Sequence, residues 1–257
     1  MNKTQSRVIV ITGASGGLAQ AIVHQLPTSD KLILLSRQKE KLHQIYGESN
    51  HLFFKSPNIR DDHAIKAIVE EIYQEFGQVD VMINNAGFGE FKNFNAFETN
   101  ETREMFDVNT IATIQFSRLV GEKMAQKKHG HIINIASMAG LIASNKSSVY
   151  SATKFAVIGF SNALRLELAN DKVYVTTVNP GPIETNFFDR ADPDGSYLKT
   201  VEKFTLKPDK VASKIIKIMG TNKRELNLPF LLNIAHKCYV LFPKLSDMLA
   251  RKVFNFK

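Results

Sequence analysis

Tyr150 and Lys154, in the run Tyr150-Ser151-Ala152-Thr153-Lys154, are the residues of this chain whose types and spacing point most directly to chemistry. Ala152, Phe155, Ala156, Ile158, Ala163 and Leu164 read as the apolar stripe of a helix, so a separation of four places phenol and ammonium on one face. A tyrosine in water ionises near ~10, too high to exchange protons readily at neutral pH. A neighbouring ammonium favours the phenolate and lowers that value, which makes Tyr150 a candidate general acid and base. Taken alone, a Tyr and a Lys four apart are more often a ring at the core edge and a solvated charge. Two further features tip the balance. Ser137 ends an apolar strand upstream, and a glycine-rich strand-to-helix turn opens the chain.

That turn follows the short apolar strand Arg7-Val8-Ile9-Val10-Ile11 and runs Thr12-Gly13-Ala14-Ser15-Gly16-Gly17-Leu18-Ala19 into a helical pattern reaching Leu26. A strand feeding a helix through glycines brings backbone N–H groups up to a phosphate, and the helix N-terminus favours its charge. A lone glycine cluster would equally suit an ordinary tight turn. Joined by Asn84-Asn85-Ala86-Gly87, Ser137 and the Tyr150/Lys154 pair, it resembles the short-chain dehydrogenase/reductase family in its smaller single-domain branch. The resemblance runs from about Arg7 to Pro208.

The resemblance implies a catalytic group of Asn109, Ser137, Tyr150 and Lys154. Ser137 would hold the substrate oxygen, and Tyr150 would pass the proton. Lys154 would lower the tyrosine pKa and bind the nicotinamide ribose, while Asn109 would hold a water through its main chain. For the cofactor it implies Gly13, Ser15, Gly16, Gly17 and Leu18 at the turn, then Ser36 and Arg37 after the second strand. Asn58 and Ile59 follow the third strand, Asn85, Ala86 and Gly87 the fourth, and Pro180, Gly181, Ile183 and Thr185 the sixth. Arginine at 37, with no carboxylate at Ser36, implies NADP(H) in preference to NAD(H), because a guanidinium pairs with a 2′-phosphate. The chain departs from the family pattern at Ala19, where a third glycine is usual, and at Asn58-Ile59, where Asp-Val is usual. A homodimer or homotetramer is expected on the same ground.

The elements that must position these residues are legible as alternation. Apolar strand candidates at 8–11, 32–35, 52–54, 79–83, 131–135 and 173–178 are separated by helical patterns at 18–26, 39–45, 62–76, 102–126 and 151–168. Short, continuously apolar strands between helices predict a parallel sheet covered on both faces, a doubly wound α/β, Rossmann-like fold. The reading is one domain over 1–257, with a less regular stretch at 186–207 serving as a substrate lid, a helix at 208–219, and a helical C-terminal extension at 226–257.

Composition agrees with a globular protein: 44% of the 257 residues are hydrophobic, enough for one substantial core. A single cysteine, Cys238, excludes an internal disulfide framework and fits a reducing, cytoplasmic setting. The N-terminus runs straight into the first strand without a leader pattern, and no apolar run reaches the ~20 residues of a membrane span. A net charge of +8 would suit nucleic acid, but the lysines and arginines are scattered and no nucleic-acid motif accompanies them. The seven histidines include no His-x-x-x-His pair, so no metal is expected.

Candidate substrate-pocket residues are Phe88, Phe91 and Phe94, then Met138, Leu141, Ile142 and Val149, then Phe187 and Phe188, a lining that favours an apolar carbonyl compound or alcohol. The extension carries Leu245, Met248, Leu249, Val253 and Phe256 on one helical stripe, with Lys244, Arg251, Lys252 and Lys257 beside it. Three roles are open to it, in this order: a cover for the pocket, a subunit contact, and a membrane-surface helix. The leading function is an NADP(H)-dependent oxidoreductase of apolar ketones, aldehydes and alcohols. The alternative is a catalytically silent NAD(P)-binding regulatory protein on the same fold, and an isomerase or epimerase would need a larger C-terminal domain.

Overall fold

Runs of Val, Ile and Leu without polar alternation form strands that bury both faces. In the computed structural model, which describes residues 6–195, 198 and 204–253, such runs form the inner strands of one seven-stranded sheet. The strands are β1 (Val8–Thr12), β2 (Lys31–Leu35), β3 (Leu52–Lys55), β4 (Val81–Asn84), β5 (Gly130–Ile135), β6 (Val173–Pro180) and β7 (Glu225–Leu228). Their order is β3-β2-β1-β4-β5-β6-β7 and every pairing is parallel.

Parallel strands need crossovers, and helices supply them: α1 (Gly17–Gln25), α2 (Lys39–Tyr46), α3 (Asp62–Phe76), α4 (Thr99–Phe106), α5 (Ala112–Lys127), α6 (Ser148–Glu167), the short α7 (Phe187–Ala191) and α8 (Pro208–Ile218). Alternate strand residues divide between two cores. Ile9, Ile11, Leu32, Leu34, Val81 and Ile83 pack under α1 and the Val211, Ala212 and Ile215 stripe of α8. Val8, Val10, Ile33, Leu35 and Met82 pack under α3 and α5, against Ile65, Ile72, Phe116 and Val120. Helix α3 shows how sharply the sequence sets a boundary. The Asp61 side chain accepts from the backbone N–H of His63 at 2.9 Å, and Gly77 ends the helix in the left-handed region at φ 74°.

Three expectations are corrected. The continuous helix expected over 102–126 is instead α4, a single π-helical turn (Asp107–Ile111) and α5, a deformation that places Asn109 and Thr110 in the interior. On α6 the buried stripe is Tyr150, Ser151, Thr153, Lys154, Val157, Ile158, Ser161 and Leu164, whereas Ala152 and Phe155 face outward. That helix packs its polar side inward because the sheet beneath it carries polar partners, described below. Third, residues 225–228 belong to the sheet. The C-terminal extension therefore begins after β7, with α9 (Phe230–Leu241) and α10 (Pro243–Val253). Phe256 and Lys257 lie outside the described residues.

The register of β7 generates a stability prediction. Leu228 is buried beside Pro180, and its carbonyl accepts from the N–H of Gly181. A chain ending at Pro229 keeps the strand, whereas one ending at Arg224 loses it. The shorter chain should unfold on the order of 5–10 °C below the longer in a thermal melt followed by circular dichroism. Equal midpoints would show that β7 adds nothing to the sheet.

Candidate active site

Strands β1 to β6 end, at their carboxyl side, on one cleft of about 1140 Å³ at the point where strand order reverses between β1 and β4. Gly13, Ser15, Gly16, Gly17, Leu18, Ser36, Arg37, Asn58, Ile59, Asn85, Ala86 and Gly87 line it. So do Ser137, Tyr150, Lys154, Pro180, Gly181, Ile183 and Thr185. Among the residues expected in the catalytic group and at the cofactor, Asn109 alone does not reach the surface of the cleft; it lies 1% exposed behind it.

The glycine turn is built on sterics. Gly13 has φ +64°, and a Cβ there would stand 2.7 Å from Ala86 Cα, so a side chain is excluded by conformation and by space. The β4 loop braces it. Thr12 Oγ1 accepts from the N–H groups of Asn85 and Ala86, both at 3.0 Å, and the Asn85 amide donates to the carbonyls of Thr12 and Gly13 at 3.0 and 3.1 Å. Asn85 thus acts on the turn. No side chain caps the start of α1 and no acidic residue sits in its first turn, so the N-terminal N–H groups and the positive end of the helix face the cleft at Gly17 and Leu18.

Beyond the turn, Ser36 Oγ donates to Ser15 Oγ at 3.1 Å, and Arg37, Lys41 and Arg60 line the same end of the cleft. Lys41 and Arg60 were not singled out from the sequence, because a cation at a helix start or in a loop is ordinarily a solvated charge. Asn58 turns its side-chain oxygen onto the N–H of Arg60 at 3.1 Å, which shapes the loop after β3. At the opposite end the chain after β6 pairs with Leu206: Leu206 N–H donates to Pro182 and Glu184 N–H to Leu206. In an extended segment the backbone groups of the intervening Ile183 then point the other way, toward the cleft that Ile183 lines.

At the centre Lys154 is 4% exposed, and its ammonium donates to the carbonyl of Ile135 at 3.0 Å. Burial pushes its pKa down from the usual 10.5 to about 8, because the charged form has lost its water. Its nitrogen stands 5.8 Å from the centre of the Tyr150 ring. Gly87 backs onto this group: a Cβ there would lie 3.3 Å from Lys154 Nζ and 3.1 Å from Asn109 Oδ1. The π turn lets the Asn109 side chain clamp both backbone groups of Phe88, accepting from its N–H at 2.9 Å and donating to its carbonyl at 2.8 Å. A further bond from Asn109 to Thr153 Oγ1, at 3.1 Å, ties this loop to α6 one residue before the lysine. Ser137 accepts from the N–H of Ala139 at 3.0 Å, while its own hydroxyl reaches Pro180 only at 3.4 Å and is weakly engaged.

A second set of polar residues holds these helices on the sheet. Asn84 of β4 donates to Ser117 of α5 at 2.9 Å and to Asn134 of β5 at 2.8 Å, and Asn134 donates to Ser161 of α6 at 2.8 Å. All four side chains are buried. Sequence reading passed over Ser117, Asn134 and Ser161, although an asparagine inside the run His131-Ile132-Ile133-Asn134-Ile135 was the available signal.

Phe88, Phe91, Met138, Ile142, Phe187 and Phe188 line the remaining part of the cleft as expected. Three of the expected pocket residues do not. Phe94 opens a surface 3₁₀ turn and is 81% exposed, Leu141 packs in a small core with Val157 and Ile158, and Val149 precedes Tyr150 on α6 and so points off its face. The Tyr150 ring lies edge-on to Phe91 at 5.7 Å and tilted against Phe187 at 5.8 Å. Gly89 makes this packing fit, because a Cβ there would stand 2.9 Å from Phe187 and 3.1 Å from Tyr150.

Helix α7 is tied down over this region. Arg190 pairs with Glu90 at 2.8 Å and stacks 3.8 Å above the Phe88 ring, and Phe91 N–H donates to Ala191 at 2.8 Å. The expected lid over 186–207 falls partly outside the described residues, Tyr197 included. The extension, for which a cover over the pocket is the first expectation, supplies one wall: Leu232, Ala235, Cys238 and Tyr239 of α9 line the cleft.

The short chain dehydrogenase model matches residues 7–195. An uncharacterized oxidoreductase of Staphylococcus saprophyticus is 32% identical over 222 residues, which cover 84% of this chain and 90% of that protein. Dehydrogenase/reductase SDR family member 7B of Xenopus laevis is 30% identical over 86% of this chain and 73% of its own length. Among solved structures, the closed form of serine dehydrogenase complexed with NADP+ superposes with a TM-score of 0.78 at 28% identity, over 85% of this chain and 94% of that one. A short-chain dehydrogenase from Streptomyces avermitilis shares the fold with a TM-score of 0.80 at 24% identity, over 96% and 97% of the two chains. With the family model matching residues 7–195 and an oxidoreductase 32% identical to it over 84% of its length, the chain belongs to the short chain dehydrogenase family of oxidoreductases.

Proposed function

We propose that this oxidoreductase interconverts an apolar ketone or aldehyde and the corresponding alcohol, with Tyr150 as general acid and base and NADP(H) as the preferred cofactor. The observation that carries the reading is the buried ammonium of Lys154 beside the Tyr150 ring. Holding an ammonium out of water is unfavourable, and a protein that only sensed nucleotide would have no use for it there.

The residues present fit a nicotinamide nucleotide. A cradle at Gly13 that a Cβ would fill, an uncapped helix start at Gly17 and Leu18, and backbone groups of Ile183 facing the cleft form one continuous wall. The hydroxyl pair Ser15–Ser36 and the cations Arg37, Lys41 and Arg60, with no carboxylate at the end of β2, suit a 2′-phosphate. That a family member 28% identical to this chain was solved as an NADP+ complex supports the same choice. When bound, the nicotinamide ring supplies the two-electron hydrogen transfer.

The chain's own residues do the rest. Ser137, whose hydrogen is only weakly engaged, donates to the substrate oxygen and fixes where the carbonyl carbon lies. Tyr150 gives its proton to that oxygen on reduction and takes it back on oxidation. Lys154 favours the phenolate through its charge and offers its remaining donors to ribose hydroxyls. Asn109 holds the Phe88 loop and α6 in register; its carbonyl already accepts from Thr113 Oγ1 at 3.0 Å, and the oxygen's second lone pair holds the water that links Lys154 to solvent. The aromatic wall around Tyr150, closed by Leu232 and Tyr239, excludes water and selects an apolar substrate over a sugar or an anion.

Three outcomes are expected. Tyr150→Phe should lower kcat about 10²–10⁴-fold while leaving the cofactor Kd nearly unchanged, as read by steady-state kinetics and calorimetry; a variant with most of its turnover would remove the tyrosine from the proton path. Lys154→Met should abolish turnover yet stabilise the cofactor-free protein. The lysine's folded pKa of about 8 lies below its ordinary 10.5, so the folded state binds protons less well and the burial penalty is full below pH 8 and fades as pH rises toward 10.5. The stability gain should therefore be about 1–3 kcal/mol by urea unfolding at pH 7 and shrink by pH 10, whereas a gain that does not depend on pH would point to packing alone. Arg37→Ala should weaken NADPH roughly 10- to 100-fold and barely change NADH; equal losses for both would make Arg37 a structural residue.

A further inference from the structure

Helix α9 contains no buried residue, although nine of its twelve positions are apolar. Its Leu232, Ala235 and Tyr239 side faces the cleft. At about 100° per residue, Phe230, Ile234, Lys237 and Leu241 fall together on the opposite side, within an arc of roughly 60°. Phe230 is 73% exposed and Leu241 71%. Leu231 and Val240 flank that stripe in the open, and Phe242, Leu245 and Met248 carry it across the turn onto α10. A continuous apolar face of this kind is an interaction surface.

Charge decides what it meets. Between residues 230 and 253 the chain has Lys237, Lys244, Arg251 and Lys252 against one acid, Asp247. Among the described residues neither Lys237 nor Lys244 is in an ion pair. Lys237 sits inside the apolar stripe, between Ile234 and Leu241. A second copy docked about a two-fold axis through this patch would press like charges together in a drying interface. A surface of anionic headgroups has the opposite sign and a suitable depth: aliphatic and aromatic side chains enter the acyl boundary while the lysine stems rise to the phosphates. Among the described residues no helix is long and apolar enough to cross a membrane, so the contact is one of lying on the surface.

We propose that α9 and α10 dock this protein on anionic phospholipid, so that α9 has lipid on one side and the cleft on the other. The sequence contains no tryptophan, so Leu241→Trp in the full chain is a single fluorescent reporter on the proposed contact. With vesicles of roughly one-third phosphatidylglycerol in phosphatidylcholine, the emission should shift to the blue and the protein should float with the lipid. Half-molar salt should reduce flotation at least about fivefold. Lys237→Glu combined with Lys244→Glu should reduce it at least about tenfold, with the melting temperature and the cofactor Kd unchanged. Failure to float at low salt, flotation equal on pure phosphatidylcholine, or flotation indifferent to the charge reversals would each overturn the proposal. A blue shift without lipid that tracks protein concentration and a larger eluted size would assign the face to a second copy instead.

Discussion

An ammonium held out of water beside a phenol is the constraint to which the rest of this structure answers. Among the described residues Lys154 has one acceptor, the carbonyl at the end of β5, and no carboxylate to neutralise it. Such a group persists only where its surroundings leave it no alternative geometry. The π turn before α5 turns Asn109 inward, Asn109 fixes the Phe88 backbone, and the absence of a side chain at Gly87 lets that loop close over the lysine. Each of these features is an irregularity by local rules. Together they make one compact socket.

The socket is braced by polar residues beneath it that bond to one another, with the Asn84 Oδ1 alone among their side-chain atoms left without a partner among the described residues. Asn84, Ser117, Asn134 and Ser161 join two central strands to the two helices that carry the catalytic candidates, and they do so inside an otherwise apolar core. Hydrogen bonds of this kind set the register of a helix on a sheet more sharply than aliphatic contacts, which tolerate sliding by a fraction of a turn. The turn after β1 is braced on the same plan by Thr12 and Asn85. Both walls of the cleft are thus positioned from the sheet outward.

Much of this was legible in the sequence, for definite reasons. Continuous apolar strands between helices carried the fold, since burial on both faces leaves no polar alternation. Residues after strands could be placed on the cleft because a parallel sheet puts all its carboxyl ends on one side. What escaped was whatever depends on long-range packing. The inward face of α6 was read from its apolar residues, yet Ala152 and Phe155 lie outside and Ser151, Thr153 and Ser161 inside, because Asn109 and Asn134 supply partners invisible in local periodicity. The π turn leaves no trace in a helical pattern, and Gly89 carries meaning only once Phe187, distant in sequence, is known to pack there. The strand β7 escaped because 225–228 is short and only Leu228 is buried, as suits an edge.

The attachment of α9 has a consequence for how specificity can vary in a protein built this way. Gly181, in the loop after β6, donates to Leu228, and a Cβ on it would stand 3.0 Å from Leu232 and 3.2 Å from Pro229. The C-terminal helix is therefore in contact with the backbone of the loop that forms the other wall of the cleft. Exchange of this tail between relatives would not be a clean transplant. A bulkier residue at 232 would push on the loop as well as reshape the cleft, so its two walls are mechanically linked and a change in one is felt by the other.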